Sequence, residues 1–223
     1  MNGKQSFLNN QKTSIRISHT DAEQAAALPE TIASWLPIQA HEYIILCIGT
    51  DRSTGDALGP LTGTYLHQHG LKHLHVYGTL HEPVHALNLV ETLDQIYEKH
   101  HNPYIIGVDA CLGKKQTVGT ILTGIGSLKP GAALKKDLPA VGHLHMIGIV
   151  NVGGFMEYAV LQHTRLSLVY DIAASMANII IDLDNQLTKR SIRRQRIIRQ
   201  RNTIVEEHKR PFRKTQNFLG LLR

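Results

Sequence analysis

The chain has 223 residues, 42% of them hydrophobic, and two cysteines, which suits one globular domain with tails and excludes a disulfide framework. No apolar segment approaches the roughly 20 residues of a membrane span, and MNGKQSFLNNQKTSIRISHTD lacks the apolar centre of a signal peptide, so a cytoplasmic, reducing compartment is expected. The net charge of +6 conceals two unlike parts: residues 188–223 hold 12 of the 24 Lys and Arg against Glu206 and Glu207, while the rest is mildly acidic.

Residues 1–28 are polar and without periodicity, and read as a partly disordered extension; with a short helix over 30–36 ended by Pro37, the N-terminal extension spans 1–38. The run YIILCI (43–48) is apolar on both faces, as buried parallel strands are. A helix over 57–69 ends near Gly70, and HLHVYGT (73–79) alternates as a strand. Pro83 suits the first turn of a helix running to about His100, with Val84, Leu87, Val90, Leu93 and Tyr97 on one face. PYIIGVD (103–109) reads as a third buried strand.

Only Ala110 to Gln116 separates that strand from TVGTILTG (117–124). A parallel crossover needs a dozen or more residues, so 117–124 is predicted to run antiparallel to its predecessor. A long Gly/Pro/Lys loop fills 125–143. Residues 146–162 are ambiguous, with MIGIV suiting a strand and FMEYAVLQ a helix, and LSLVY (166–170) reads as a last strand before a helix over 171–187. The order predicts a three-layer α/β/α sandwich over 39–187, its sheet mostly parallel with one antiparallel strand. In a flavodoxin-like order the strands at 43–48 and 103–109 are neighbours, and their carboxyl ends frame the ligand crevice.

The loop CIGTDRSTGDALGP (47–60) leaves the first of those ends. A P-loop needs a lysine and a Ser/Thr after its last glycine, and here Pro60-Leu61 follow Gly59. The glycine spacing also fails the dinucleotide fingerprint, and Asp51 and Asp56 would repel phosphate. Two readings remain for Asp56: a helix N-cap, or one member of an acidic pair with Asp109 across the crevice. Two close carboxylates do not both ionise easily, so one can activate water while the other donates a proton. An added imidazole turns such a pair into a divalent-metal site, and His143 and His145 end the long loop near the same sheet edge. Cys111, two residues beyond Asp109, is a rival nucleophile with no local protease signature around it.

GTDRSTGDALGP (49–60), VDA (108–110) and KPGAALKKDLPAVGHLHMIGIVNVGG (129–154) resemble the YyaC-type sporulation proteins of spore-forming Firmicutes, over roughly residues 40–187. That family is similar in turn to the spore germination protease and the hydrogenase maturation proteases, and the resemblance implies a phosphorylase/hydrolase-like fold. The germination protease has one catalytic aspartate in PDALGP and another in an IDA context; these match Asp56 in Gly55-Asp56-Ala57-Leu58-Gly59-Pro60 and Asp109 in Val108-Asp109-Ala110. In the maturation proteases the same two positions bind nickel of the substrate with a histidine in an H-x-x-G pattern, matched here by His145-Met146-Ile147-Gly148. The chain departs from both relatives: it is shorter than the germination protease, has Asp56 where maturation proteases have glutamate, and carries an Arg-rich tail.

The resemblance implies a sporulation-associated peptidase of the sporulating cell or forespore, acting on a protein or peptide through Asp56 and Asp109. Arg52, Asp51 and His145 are the supporting candidates. No cofactor is expected. The alternatives are a divalent metal on Asp56, Asp109 and His145, as in a maturation-type endopeptidase, or a non-catalytic binding protein that keeps the crevice. The tail, SIRRQRIIRQRNTIVEEHKRPFRK (191–214), pairs Ile197 with Ile204 and Ile198 with Val205 at helical spacing. It reads either as a solvated terminus or as a contact for nucleic acid, an anionic membrane surface or an acidic partner. With Phe212 and Phe218 as its only aromatics, base stacking is unsupported.

Overall fold

The computed structural model describes residues 14–37, 42–130 and 138–209. The first thirteen residues, positions 131–137 of the long loop, and the tail beyond Lys209 with Phe212 and Phe218 lie outside the described residues. The chain divides into two compact units, Met1–Leu187 and Thr188–Arg223.

In the first unit, six strands form one sheet: β1 (Ser14–Ser18), β2 (Tyr43–Cys47), β3 (Leu74–Tyr77), β4 (Tyr104–Gly113), β5 (Thr120–Ile125) and β6 (Leu144–Val152). Their spatial order is β1-β5-β6-β4-β2-β3. The β3–β2, β2–β4 and β4–β6 pairings are parallel, whereas β5 runs antiparallel to both β6 and β1. This is the expected sandwich with one antiparallel strand. As expected too, β2 and β4 are neighbours, with Tyr43 opposite Tyr104 and Cys47 opposite Val108.

Helices α1 (Ala22–Trp35), α2 (Leu58–His69) and the apolar part of α5 (Leu166–Lys209) supply Leu28, Ile32, Leu58, Leu66, Ile172 and Met176 to one core. That core packs on Ile45, Cys47, Ile106, Val108, Leu144 and Met146 from the sheet. Helix α3 (Leu89–Lys99) covers the other face, where Leu89 and Ile96 meet Ile44, Leu46, Ile105, Leu128 and Val141. The remaining short helix is α4 (Glu157–Gln162).

Four local expectations need correcting. The stretch from residue 14 to 35 is not a loose extension: β1 is an edge strand that turns Ile17 into the core, and α1 is N-capped by Asp21, whose Oδ1 accepts from Gln24 N at 3.0 Å. Pro29 lies inside α1 and interrupts the signal that would have announced it. Residues 83–88 are irregular, so α3 begins six residues after Pro83 with a rotated face: Leu89, Thr92 and Ile96 are buried, while Leu87 is 84% exposed and Val90 and Tyr97 are also exposed. LSLVY is the first turn of α5 and not a strand, its Val169 continuing at helical spacing into Ile172, Ala173 and Met176. Finally, the 166–198 stretch of α5 is long and apolar enough, by length and composition alone, to cross a membrane. Much of that apolarity serves the core, for Ile172, Met176, Ile180 and Leu183 are buried there.

The rotated face of α3 sets an expectation for stability. Ile96→Ala should destabilise by about 2–5 kcal/mol, whereas Leu87→Ala should stay within about 0.5 kcal/mol. Urea unfolding of the two variants distinguishes this face from the one the sequence predicts.

Candidate active site

The loop after β2 is folded tightly onto the end of its own strand. Gly49 N donates to Val84 O at 2.8 Å, Thr50 N donates to Asp56 O at 3.1 Å, and residues Gly55–Ala57 form a single 3₁₀ turn leading into α2. Two glycines make the approach feasible: a Cβ on Gly49 would lie 1.9 Å from Asp56 O, and one on Gly59 would lie 2.1 Å from Ile48 O. Asp56 sits in the turn, yet its side chain caps no helix, since neither the 3₁₀ turn nor α2 has a side-chain cap. The cap reading therefore falls away.

Asp109 is not the last residue of its strand. Strand β4 continues to Gly113, and Asp109 pairs with Ile147 of β6 at the first position beyond the last β2 partner, Val108. Its Oδ1 accepts from Ala110 N at 2.8 Å. The residue keeps part of its surface in solvent while protein surrounds the carboxyl. Burial pushes its pKa up to about 8, the Ala110 amide opposing this and the charge of Asp56 adding to it. Asp56, half-buried, is also raised by burial, and the Ser53 hydroxyl beside it favours the ionised form. Ser53 is itself buried, and its Oγ lacks a hydrogen bond of full geometry, so this contact is a polar approach short of a made bond.

The charge of Asp56 is thus felt at Asp109, and the shift at Asp56 itself comes from burial and Ser53. The other candidates are placed differently. Asp51 and Arg52 are exposed on the outer turn of the loop and take no part in the shifts at either aspartate. His145 lies opposite Gly107, one strand across from Asp109 and two residues back, with its Nδ1 3.0 Å from Gly126 O. Asp56, Asp109 and His145 do not form a metal-ligand cluster: among the described residues, the group whose ligand atoms lie within 4.8 Å of one another is Glu42, His75 and His100. Cys111 is half-buried, and its Sγ donates to Leu112 O at 2.9 Å. Burial raises the thiol pKa, with the charges of Asp109 and Glu157 adding to it and Arg16 opposing, so Cys111 stays a thiol and makes a poor nucleophile.

Arg16 is a residue that sequence reasoning missed. Arg16, Leu122, Ile147 and Asp109 stand in one row across β1, β5, β6 and β4, on a common sheet face. Its signal was the alternation in SIRIS, too short to stand out beside a polar extension. On the other flank α4 packs near the loop, with Leu161 directly over Gly55. A groove of about 1000 Å³ runs along β3 and is lined by neither aspartate.

Residues 16–179 match the family described as "Protein of unknown function (DUF1256)". This chain belongs to that family. It is 51% identical over 172 residues to "Uncharacterized protein YyaC" of Bacillus subtilis (strain 168), covering 77% of this chain and 84% of that protein. The resemblance in the 49–60 loop and the VDA strand thus led to the right family. Among solved structures, the [NiFe] hydrogenase maturation protease HycI from Thermococcus kodakarensis KOD1 is similar with a TM-score of 0.47 and 14% identity, over 71% of this chain and 99% of that one.

The raised pKa of Asp109 has a consequence for stability. Between the ordinary carboxylate value of 3.8 and about 8, the folded chain holds a proton that the unfolded chain releases. Stability conferred on the protonated form is therefore lost as pH rises through this window. Asp109→Asn cannot ionise, so its Tm should exceed the parent's by a margin that grows with pH, reaching about 5 °C or more near pH 8. A Tm difference that is flat from pH 4 to pH 8 contradicts the assignment.

Proposed function

We propose that this DUF1256-family chain is a peptidase in which Asp56 and Asp109 act as an aspartate pair. The observation that carries this reading is the placement of Asp109 just past the last β2 pairing, beside the loop that holds Asp56, where burial and the charge of Asp56 push its pKa up to about 8. Asp56 is then the base and Asp109 the acid.

Asp56 takes a proton from a water molecule as its oxygen attacks the scissile carbonyl carbon, and Asp109 gives its proton to the carbonyl oxygen. The resulting gem-diol collapses as one hydroxyl proton returns to Asp109 and the proton on Asp56 passes to the departing amine nitrogen. Both aspartates end in their starting states, and one water has been consumed. Arg16, across the same sheet face, is suited to hold a carboxylate or carbonyl of the substrate. The resemblance to sporulation proteins supports a substrate among the proteins of the sporulating cell or forespore.

A second reading, a binding protein that keeps the crevice without cleaving, is favoured by the exposed Phe155, Met156 and Tyr158 around the start of α4. In that case deletion of residues 188–223 removes function in sporulating cells and Asp109→Asn does not.

Asp56→Asn and Asp109→Asn should each lower cleavage of spore-protein substrates by at least about a hundredfold while both variants stay folded by circular dichroism. Undiminished cleavage by both would sink the peptidase reading. The pH–rate profile of the parent should be bell-shaped. Its alkaline limb should fall at about pH 8, where Asp109 loses its proton, and its acid limb above the ordinary carboxylate value, where Asp56 gains one.

A further inference from the structure

The end of the sheet opposite the acidic crevice carries a separate cluster. Glu42 immediately precedes β2, His75 projects from β3 beside Ile44, and His100 is the C-cap residue of α3. His100 is buried, with Nδ1 2.9 Å from Glu42 Oε2 and Nε2 2.8 Å from the Tyr77 hydroxyl. The His75 and His100 rings lie 4.6 Å apart. One ligand atom from each of Glu42, His75 and His100 falls within 4.8 Å of the others. We propose that Glu42, His75 and His100 bind one divalent transition-metal ion, with Zn²⁺ the ion their donor set suits.

Two imidazoles and one carboxylate form a three-ligand set that leaves a fourth position open. The Tyr77 hydroxyl fixes the His100 ring through Nε2 and aims Nδ1 at Glu42, the arrangement by which an outer partner orients a ligating histidine. The His101 amide, 3.1 Å from Glu42 Oε2, holds the carboxylate in the same way. The ion takes the place between Nδ1 and Oε2 now bridged by a hydrogen bond. Bonds of about 2.0–2.1 Å set tetrahedral ligands roughly 3.3 Å apart. Glu42 and His100 need to move little, and the exposed His75 closes the remaining distance by rotating its side chain.

A purely structural role accounts for Glu42, His100 and Tyr77, which tie the start of β2 to α3 and β3. It does not need His75, whose exposed ring lies against the His100 ring and close enough to Glu42 for their charges to interact. The metal gives His75 a role. Lys99 also stands close, its Nζ 5.9 Å from the Tyr77 ring centroid. Its positive charge opposes any cation, so an ion held here needs strong nitrogen bonds to offset it, which Zn²⁺ makes to imidazole and Mg²⁺ and Ca²⁺ do not. The groove along β3 is lined by His75, Tyr77 and Lys99 and gives the open position access to solvent or a small ligand.

The test uses the full chain without a polyhistidine tag, stripped of metal by a chelator and titrated with ZnCl₂ in a calorimeter. One equivalent should bind, and His75→Ala, at an exposed position, should weaken it at least tenfold while His73→Ala leaves it unchanged. Tyr77→Phe should weaken it by roughly tenfold. Co²⁺ substitution should give the intense visible bands of four-coordinate cobalt, lost in His75→Ala. The Asp56→Asn/Asp109→Asn double variant should bind Zn²⁺ as the parent does. Absence of one-to-one binding, equal binding by His75→Ala, or loss of binding in the double aspartate variant overturns the proposal.

Discussion

Strands β2 and β4 are neighbours of unequal length, and the setting of Asp109 depends on that mismatch. Cys47 closes β2 opposite Val108, with one further bond from Ile48 N to Val108 O, whereas β4 runs on to Gly113 along β6. From Asp109 onward, β4 has lost its partner on that side. A side chain at that position is flanked by sheet on one side and by whatever loop leaves β2 on the other. The loop is the 49–57 segment, and the close approaches at Gly49 and Gly59 pull it down so that Asp56 comes near enough for its charge to be felt at Asp109. Side chains at those two glycines would push the loop away and solvate both carboxyls, and the raised pKa values would relax with them.

The two sheet faces divide the remaining work. Alternation along β4 sends Ile106 and Val108 into the large core, and Ile105, Gly107, Asp109 and Cys111 toward the α3 side. Helix α3 covers only part of that side, through Ile44, Leu46 and Ile105. Over the β1-β5-β6 half, Ile147 and Leu122 are half-buried and Arg16 is exposed, so the row leading away from Asp109 ends on a cation. His145 also belongs to this face. Its Nδ1 is engaged by the Gly126 carbonyl, which holds the ring toward the β5 side.

The features legible in the sequence were those fixed by short-range chemistry. The double-sided apolar runs of β2 and β4 announced central parallel strands, and the brief connection after β4 announced an antiparallel β5, because no crossover fits in it. The loop 49–60 announced itself by what it lacked for phosphate binding. Other features depended on tertiary context. β1 and α1 were hidden because five residues of an edge strand carry little pattern and Pro29 breaks the helical one. The face of α3 differs from the expected one because a helix start at Pro83 draws Val84 and Leu87, from the irregular 83–88 segment, into a periodicity that does not continue through them. LSLVY is apolar and partly β-branched, and so short a run does not distinguish strand from helix. Of the site residues, Asp56 and Asp109 were legible from their loop and strand. Arg16 and Ser53 were not, since one reaches the site only through three strand pairings and the other only through burial.

Why Asp109 rather than Asp56 holds the proton follows from the asymmetry of their surroundings. Asp56 sits in a single 3₁₀ turn with the polar Ser53 hydroxyl beside it, and this offsets part of the cost of burying its charge. Asp109 has one helper, the Ala110 amide, and is otherwise set among strand β4, the half-buried Ile147 and the Cys111 thiol. Burial penalises both ions, so the group with the better-compensated ion ionises first. Once Asp56 carries charge, the second ionisation must overcome that charge as well as desolvation, and the two pKa values move further apart. The same ordering keeps Cys111 a thiol, because any negative charge on Asp109 would raise the cost of a thiolate beside it. One negative charge across the pair, with Asp109 still carrying its proton, is the state that burial and the unequal hydrogen bonding favour at neutral pH.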